Sequence, residues 1–144
     1  MRLGVIWALL GPIAQSNAEP LLEQAAKQYK LPVALLRAIA SVESRNNPDA
    51  INRRTWDYGL MQINHRTAAG YGYLPVEMLD KQKNVQVASQ LLKKLKNSYA
   101  HKEPGWACRY NVGWHKNASQ WSSCRVYLEK LCEAGYCILS NQEQ

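Results

Sequence analysis

Glu43 is a carboxyl group set into an apolar pattern. It nearly closes the run Leu31-Pro32-Val33-Ala34-Leu35-Leu36-Arg37-Ala38-Ile39-Ala40-Ser41-Val42-Glu43-Ser44, where Leu36, Ile39 and Ala40 recur at three- and four-residue spacing. At roughly 100° per residue, the seventh residue after Leu36 lies within about 20° of it, so Glu43 continues the buried stripe. A glutamate at a helix end can turn to solvent or pair with its neighbour Arg45, since Glu is seldom buried. Held on the apolar side, the same carboxyl loses solvation and its pKa rises. It can then stay protonated near neutral pH and act as a general acid. The stretch Asp57-Tyr58-Gly59-Leu60-Met61-Gln62-Ile63-Asn64 decides between the two.

The elements that would position Glu43 follow from spacing and punctuation. Pro32 suits a first helical turn, where a missing N–H costs nothing, and Ala, Leu and Arg favour the interior. Asn46-Asn47-Pro48 is expected to stop this helix, because the residue before a proline avoids helical angles. A preceding helix is predicted over Glu19–Lys30, with Leu21, Leu22, Ala25, Ala26 and Tyr29 on its apolar face. Residues 46–56 read as a surface loop or small irregular hairpin, residues 67–70 as a short helical turn, and residues 70–73 as loop. The clearest helix spans Asn84–Tyr99, with Val85, Ala88, Leu92, Leu95 and Tyr99 on its stripe. Pro104 is expected to open a helix through Trp106, Ala107 and Tyr110 that breaks near Gly113. Ser119–Leu131 reads as the last helix, with Trp121, Val126, Leu128 and Leu131 as packing residues. The sum is a mainly helical single domain, with no internal repeat or low-complexity tract.

The 144 residues suit one domain with one core. Eighteen Lys and Arg against eleven Asp and Glu give a net charge of +7, which suits an anionic polymer. The basic residues are scattered and no recognition-helix or aromatic–basic RNA pattern accompanies them, so nucleic acid is not the expected partner. Arg2, the apolar run Leu3–Leu10, the Gly11-Pro12 break and the small residues Ser16 and Ala18 have the layout of a signal peptide over residues 1–18. The run is too short to span a bilayer. Its removal takes Arg2 and no acid, from +7 to +6. No cysteine stands at the cut to carry a lipid, so no stable membrane anchor is expected. Cys108, Cys124, Cys132 and Cys137 fit an exported chain whose final segment, residues 132–144, is tied by a disulfide. If Ser119–Leu131 is one helix, Cys124 and Cys132 lie about 12 Å apart along its axis, beyond disulfide reach. Two pairings remain: 108–124 with 132–137, which closes two short loops, or 108–132 with 124–137. His65, His101 and His115 form no metal motif, no Cys-x-x-Cys pair is present, and neither a phosphate loop nor a Gly-x-Ser-x-Gly elbow occurs, so no metal or other cofactor is expected.

Glu43-Ser44, Asn47-Pro48-x-Ala50 and Gly59-Leu60-Met61-Gln62, followed by Tyr110-Asn111-x-Gly113 and Tyr127, resemble the soluble lytic transglycosylase (SLT) family. The order and rough spacing hold from about Leu21 to Lys130. The resemblance implies an α+β lysozyme-like fold over residues 19–131, mainly α, with a substrate groove and at most a minor β-hairpin. It implies a lyase that cleaves peptidoglycan glycan strands and leaves 1,6-anhydro-muramoyl ends, in the periplasm or outside the cell. Glu43 takes the role of the single catalytic acid. Ser44 matches a neighbour that hydrogen-bonds near it or caps the helix. Gly59 permits close backbone approach. Met61 and Gln62 match groove-lining positions, and the Gln62 amide suits an N-acetyl group or a sugar hydroxyl. Tyr110 and Asn111 match a pair beneath the scissile bond, with a Tyr hydroxyl aimed at the acid, and Tyr127 matches a late cleft tyrosine. Trp56, Trp106, Trp114 and Trp121 could stack on sugars but read first as packing residues.

The pattern departs from many family members at Asp57-Tyr58, where Asp-Tyr-Gly-x-x-Gln-Ile-Asn resembles the animal lysozyme segment bearing a second carboxylate. If Asp57 faces the groove with Glu43, a hydrolytic lysozyme is the alternative. The same variant occurs in a branch of the family that serves secretion, conjugation and pilus systems. The resemblance therefore implies a monomeric enzyme opening the wall for such machinery. A third reading, of another class, is a weakly catalytic scaffold that binds wall.

Overall fold

The computed structural model describes residues 18–103, 105–113 and 118–138. Pro104, Trp114, His115 and, apart from Ala18, the expected signal segment lie outside them. Six α-helices and one small antiparallel sheet among the described residues make a mainly helical domain of the lysozyme-like type. Among the described residues no helix is long and apolar enough to cross a membrane.

Helix α1 (Glu19–Tyr29) buries Leu22, Ala25 and Ala26, and Lys30 turns the chain in a left-handed conformation. Helix α2 (Val33–Ser44) runs through the core: Leu35, Leu36, Ala38, Ile39 and Ala40 are all buried. Its end differs from the expected proline stop. Arg45 and Asn46 both adopt left-handed angles, and their N–H groups bond back to the Ser41 and Ala40 carbonyls at 3.0 and 3.1 Å. A left-handed cap satisfies the orphan carbonyls, so α2 ends three residues before Pro48 could act.

The predicted hairpin gains a third strand. β1 (Ile51–Asn52), β2 (Asp57–Tyr58) and β3 (Ile63–Asn64) pair antiparallel in chain order, with Asn52 opposite Asp57 and Asp57 opposite Asn64. Asn64 then caps α3 (His65–Gly70) by accepting from the Arg66 N–H. After a 3₁₀ turn over Pro75–Leu79, α4 (Lys81–Tyr99) begins three residues earlier than expected. Asp80 caps it by accepting from the Lys83 N–H at 2.9 Å, a favoured arrangement for the otherwise unpaired first-turn donors.

A 3₁₀ turn over Trp106–Cys108 leads into α5 (Arg109–Val112), which ends at Gly113 with φ +79°. Helix α6 (Ala118–Glu133) follows. Its buried stripe is Cys124, Tyr127, Leu128 and Leu131. Trp121 and Val126, expected to pack, are instead 53% and 47% exposed. Val126 lies off the three-and-four spacing that Cys124 and Tyr127 begin. Trp121 keeps it, three residues before Cys124 and seven before Leu128, but stands a turn before the buried stripe starts at Cys124, and the disulfide fixes which face turns inward. The bridges are Cys108–Cys124 and Cys132–Cys137, the pairing that closes two short loops. All six helices and the sheet share one apolar core, in which α2 touches α1 on one side and α6 on the other.

Candidate active site

The left-handed cap of α2 leaves Glu43 in the last turn, one residue from the helix end, on the continuation of the Leu36–Ile39–Ala40 stripe. Its carboxyl is part-buried and lies in the wall of a cleft of about 400 Å³, together with Thr55, Asp57, Gln62, Asn64, Tyr110 and Asn111. Tyr127 donates its hydroxyl to Glu43 Oε1 at 2.6 Å. Burial pushes the Glu43 pKa above the ordinary carboxyl value, and the negative charge of Asp57 adds to that; the Tyr127 hydrogen bond and the field of Lys130 act in the opposite sense. The balance shifts Glu43 toward its protonated form.

Ser44 works behind Glu43. Its hydroxyl donates to the Leu60 carbonyl at 2.7 Å and accepts from the Asn47 N–H at 3.1 Å. It thus ties the end of α2 to the following loop, and it does not line the cleft. That loop is held by Gly59 and Asn84. Gly59 has φ +78°, and a Cβ there would stand 2.1 Å from the Met78 carbonyl oxygen and 2.5 Å from Asn84 Nδ2. Both the angle and the space exclude a side chain. Asn84 is fully buried. Its amide nitrogen donates to the Tyr58 and Met78 carbonyls, and its oxygen accepts from the Met61 N–H, each at 2.8 Å. Three main-chain groups that helix and sheet leave over are satisfied by one side chain.

Met61 departs from the expected groove position. Its side chain is fully buried in the core. Strand β3 begins two residues later, and the bond to Asn84 turns the side chain inward. What Met61 contributes is its carbonyl, which accepts from Tyr110 Oη at 2.7 Å. Tyr110 therefore does not hold the acid, as its motif suggested; Tyr127 does. Burial and the charges of Glu43 and Asp57 keep the Tyr110 phenol well above its ordinary pKa, hence neutral and able to donate. Asn111 and Gly113 reach the same cleft.

Gln62 lines the cleft with a left-handed backbone, φ 49°. Such a conformation costs a non-glycine residue roughly 1–2 kcal/mol. Its own amide offsets part of this by donating to the Gly59 and Ala50 carbonyls at 2.9 and 3.1 Å. With the nitrogen so engaged, the side-chain oxygen is the group presented to a ligand, where it can accept from an N–H or O–H.

Asp57 reaches the cleft from β2. Thr55 Oγ1 donates to one of its oxygens at 2.5 Å and Asn64 Nδ2 to the other at 2.8 Å. A carboxylate so held shapes the field at Glu43.

Asn84, Thr55 and Asn64 were not singled out in the sequence. Asn84 had a usable signal: Asn84, Ala88, Leu92 and Leu95 share the inner face of α4, the same pattern of a polar residue on an apolar stripe that identified Glu43. Thr55 and Asn64 act through pairing across the sheet, which local pattern does not reveal.

The chain matches the family model described as transglycosylase SLT domain over residues 20–126. The match takes in Glu43, the Gly59–Gln62 loop and Tyr110-Asn111, and stops one residue before Tyr127. No curated protein matches the chain.

Proposed function

The chain belongs to the transglycosylase SLT domain family, and from that premise we propose that Glu43 is the sole catalytic acid of a peptidoglycan lytic transglycosylase. The family acts on peptidoglycan as lytic transglycosylases, and the substrate strand would lie in the cleft of Glu43, Gln62 and Asn111. Protonated Glu43 gives its proton to the glycosidic oxygen as the β-1,4 bond from MurNAc to GlcNAc breaks. The resulting carboxylate then takes the proton of the muramoyl 6-hydroxyl as that oxygen bonds to C1. The Glu43 proton is restored, a 1,6-anhydro ring closes, and no water is consumed. The observation that carries this reading is the part-buried Glu43 carboxyl, shifted toward its acid form and fixed by Tyr127 at 2.6 Å in the cleft wall.

Gln62 Oε1 is placed to accept from an N-acetyl N–H or a hydroxyl. Ser44 is a positioning residue, because it acts through the Leu60 carbonyl. A small enzyme of this kind, exported behind a signal peptide, suits local opening of the wall for a secretion, conjugation or pilus assembly. The hydrolytic reading keeps one supporting observation: Asp57 shares the cleft, and a retaining hydrolase requires a second carboxylate. Both Asp57 oxygens are already bonded by Thr55 and Asn64, which favours a field-shaping role over nucleophilic attack.

Mass spectrometry of digested sacculi separates the two. Anhydro-muramoyl products from the wild type, and from an Asp57→Asn variant that keeps activity within about tenfold, are expected. Reducing-end products, with activity abolished in a folded Asp57→Asn protein, would show that water is the acceptor and overturn the lyase.

A further inference from the structure

Beside the cleft lies a second concavity, of about 360 Å³, whose lining includes Asn111, Ser122, Val126, Tyr127 and Lys130. Asn111 lines both spaces. Tyr127 separates them: its hydroxyl faces Glu43, while its body forms part of the second wall. The two spaces are thus neighbours around one side chain.

The character of this second space differs from that of the cleft. Lys130 is exposed and has no ion-pair partner among the described residues. Glu129, the acid next to it in α6, is oriented toward Arg125 at 4.0 Å. The field of Lys130 is nevertheless felt at Glu43, so this cation stands close to the reacting centre. Ser122 supplies a hydroxyl, and Val126, an apolar residue on an outward face, is 47% exposed. A lone cation, a hydroxyl and an apolar surface form a mixed recognition surface. It suits a flexible chain bearing a carboxylate, amides and short apolar side chains better than it suits a sugar face, which calls for an aromatic plane.

We propose that this concavity is a subsite for the peptide stem of the muramoyl residue beside the scissile bond, with Lys130 pairing a stem carboxylate. The inference rests on the transglycosylase reading above, since only a peptidoglycan strand carries such a stem next to the bond broken at Glu43. The stem leaves its sugar through the lactyl ether, crosses Asn111 and lies along Tyr127 and Val126 toward Lys130. The charge contact lies outside the cleft, so pairing with a stem acts on which strands are accepted, whereas the field that Lys130 exerts on Glu43 is present with any substrate.

The test compares soluble glycan strands that retain their stems with strands stripped by an amidase, which leaves only the lactyl carboxylate. Lys130→Gln is expected to lower the ratio of kcat/KM for stem-bearing over stripped strands by about tenfold, the scale of one hydrogen bond to a charged group. Lys130→Arg should keep the ratio. A ratio unchanged in Lys130→Gln, or an equal loss on both substrates, would overturn the subsite, because Lys130 would then serve the acid or the sugar alone. Binding decides the matter independently of turnover. In the Glu43→Gln background, added Lys130→Gln should weaken the Kd for stem-bearing strands and leave that for stripped strands unchanged. If the wild type cleaves neither substrate while this binding difference holds, the transglycosylase reading fails and the subsite stands. If the wild type cleaves both and the binding difference is absent, the subsite fails and the transglycosylase reading stands.

Discussion

The two walls around Glu43 are held by different means. On one side, the end of α2, the sheet and the Gly59–Gln62 loop are joined by buried and part-buried hydrogen bonds: Asn84 to three main-chain groups, Ser44 to Leu60, Gln62 to Ala50 and Gly59. On the other, α5 and α6 carry Tyr110 and Tyr127 and are clamped by the Cys108–Cys124 bridge, with Cα atoms 5.0 Å apart. Arg109 adds a brace, since it pairs with Glu103 and lies 3.6 Å above the Tyr99 ring centre. The first wall presents the acid; the second presents the hydroxyl that holds it. An acid built on a hydrogen-bonded core is fixed as soon as the core folds, whereas its tyrosine partner depends on a covalent clamp formed by oxidation.

Breaking the first wall at the acid itself should have the largest effect. Glu43→Gln keeps shape and removes the transferable proton, so turnover of sacculi should fall by about 10²–10⁴-fold. The same change should stabilise the fold at neutral pH. Glu43 has a folded-state pKa raised above its unfolded value. Its contribution to stability is therefore complete below the unfolded pKa and is lost as pH rises through the folded one. Thermal melts should show a Tm above wild type at pH 7 that converges toward wild type near pH 4. A Tm below wild type at pH 7 would mean that the Glu43 carboxylate is not penalised by burial.

Removing the amide that organises this wall comes next. Asn84→Ala leaves the Met61 N–H and the Tyr58 and Met78 carbonyls without their partner. At roughly 1–3 kcal/mol for each unsatisfied buried group, urea unfolding should show a loss of about 3 kcal/mol or more. A loss below about 1 kcal/mol would mean that water replaces the amide and that the wall does not hang on Asn84.

The second wall should fail differently. Paired Ser replacements of Cys108 and Cys124 open a loop of 16 residues, worth about 3 kcal/mol on chain-entropy grounds. Those of Cys132 and Cys137 open one of 5 residues, worth about 2 kcal/mol. The sharper contrast is in activity, measured where both variants remain folded. Losing the 108–124 bridge should lower turnover, because that bridge sets α6 and with it Tyr127; losing 132–137 should leave turnover near wild type. Equal activities would erase the distinction between a clamp at the site and a staple on the tail.

The smallest expected effect is the most specific. Tyr127→Phe removes the bond that favours ionised Glu43. The alkaline limb of the pH–rate profile should therefore move to higher pH, while kcat falls by about tenfold as the carboxyl loses its fixed orientation. A limb that moved to lower pH would show that Tyr127 does not stabilise the carboxylate.

The helices, their order and the motif loop were legible in the sequence because each rests on local rules: three-and-four periodicity, turn residues and short motifs. Glu43 was legible for the same reason, as a charged residue on an apolar stripe of α2. The inward face of α6 was misread at two positions for different reasons: Val126 is apolar but lies off the buried stripe, and Trp121 is in register with Cys124 and Leu128 but stands a turn before the stripe begins. Met61 was misread as groove because its motif position says nothing about which side of the loop faces the core.

The chain's own pattern thus determined that an acid would stand at the end of a core helix, and that four cysteines would fasten the segment beyond residue 107. Only the tertiary structure decided which tyrosine meets that acid. Tyr110 and Tyr127 stand 67 and 84 residues from Glu43 in the chain, and each has a hydroxyl able to serve. The choice falls to the packing of α6 against α2 and to the Met61 carbonyl that occupies Tyr110 first. Both are contacts between segments distant in the chain, and hydrogen-bond partners over such separations are set by where backbones come to rest, which no local spacing encodes.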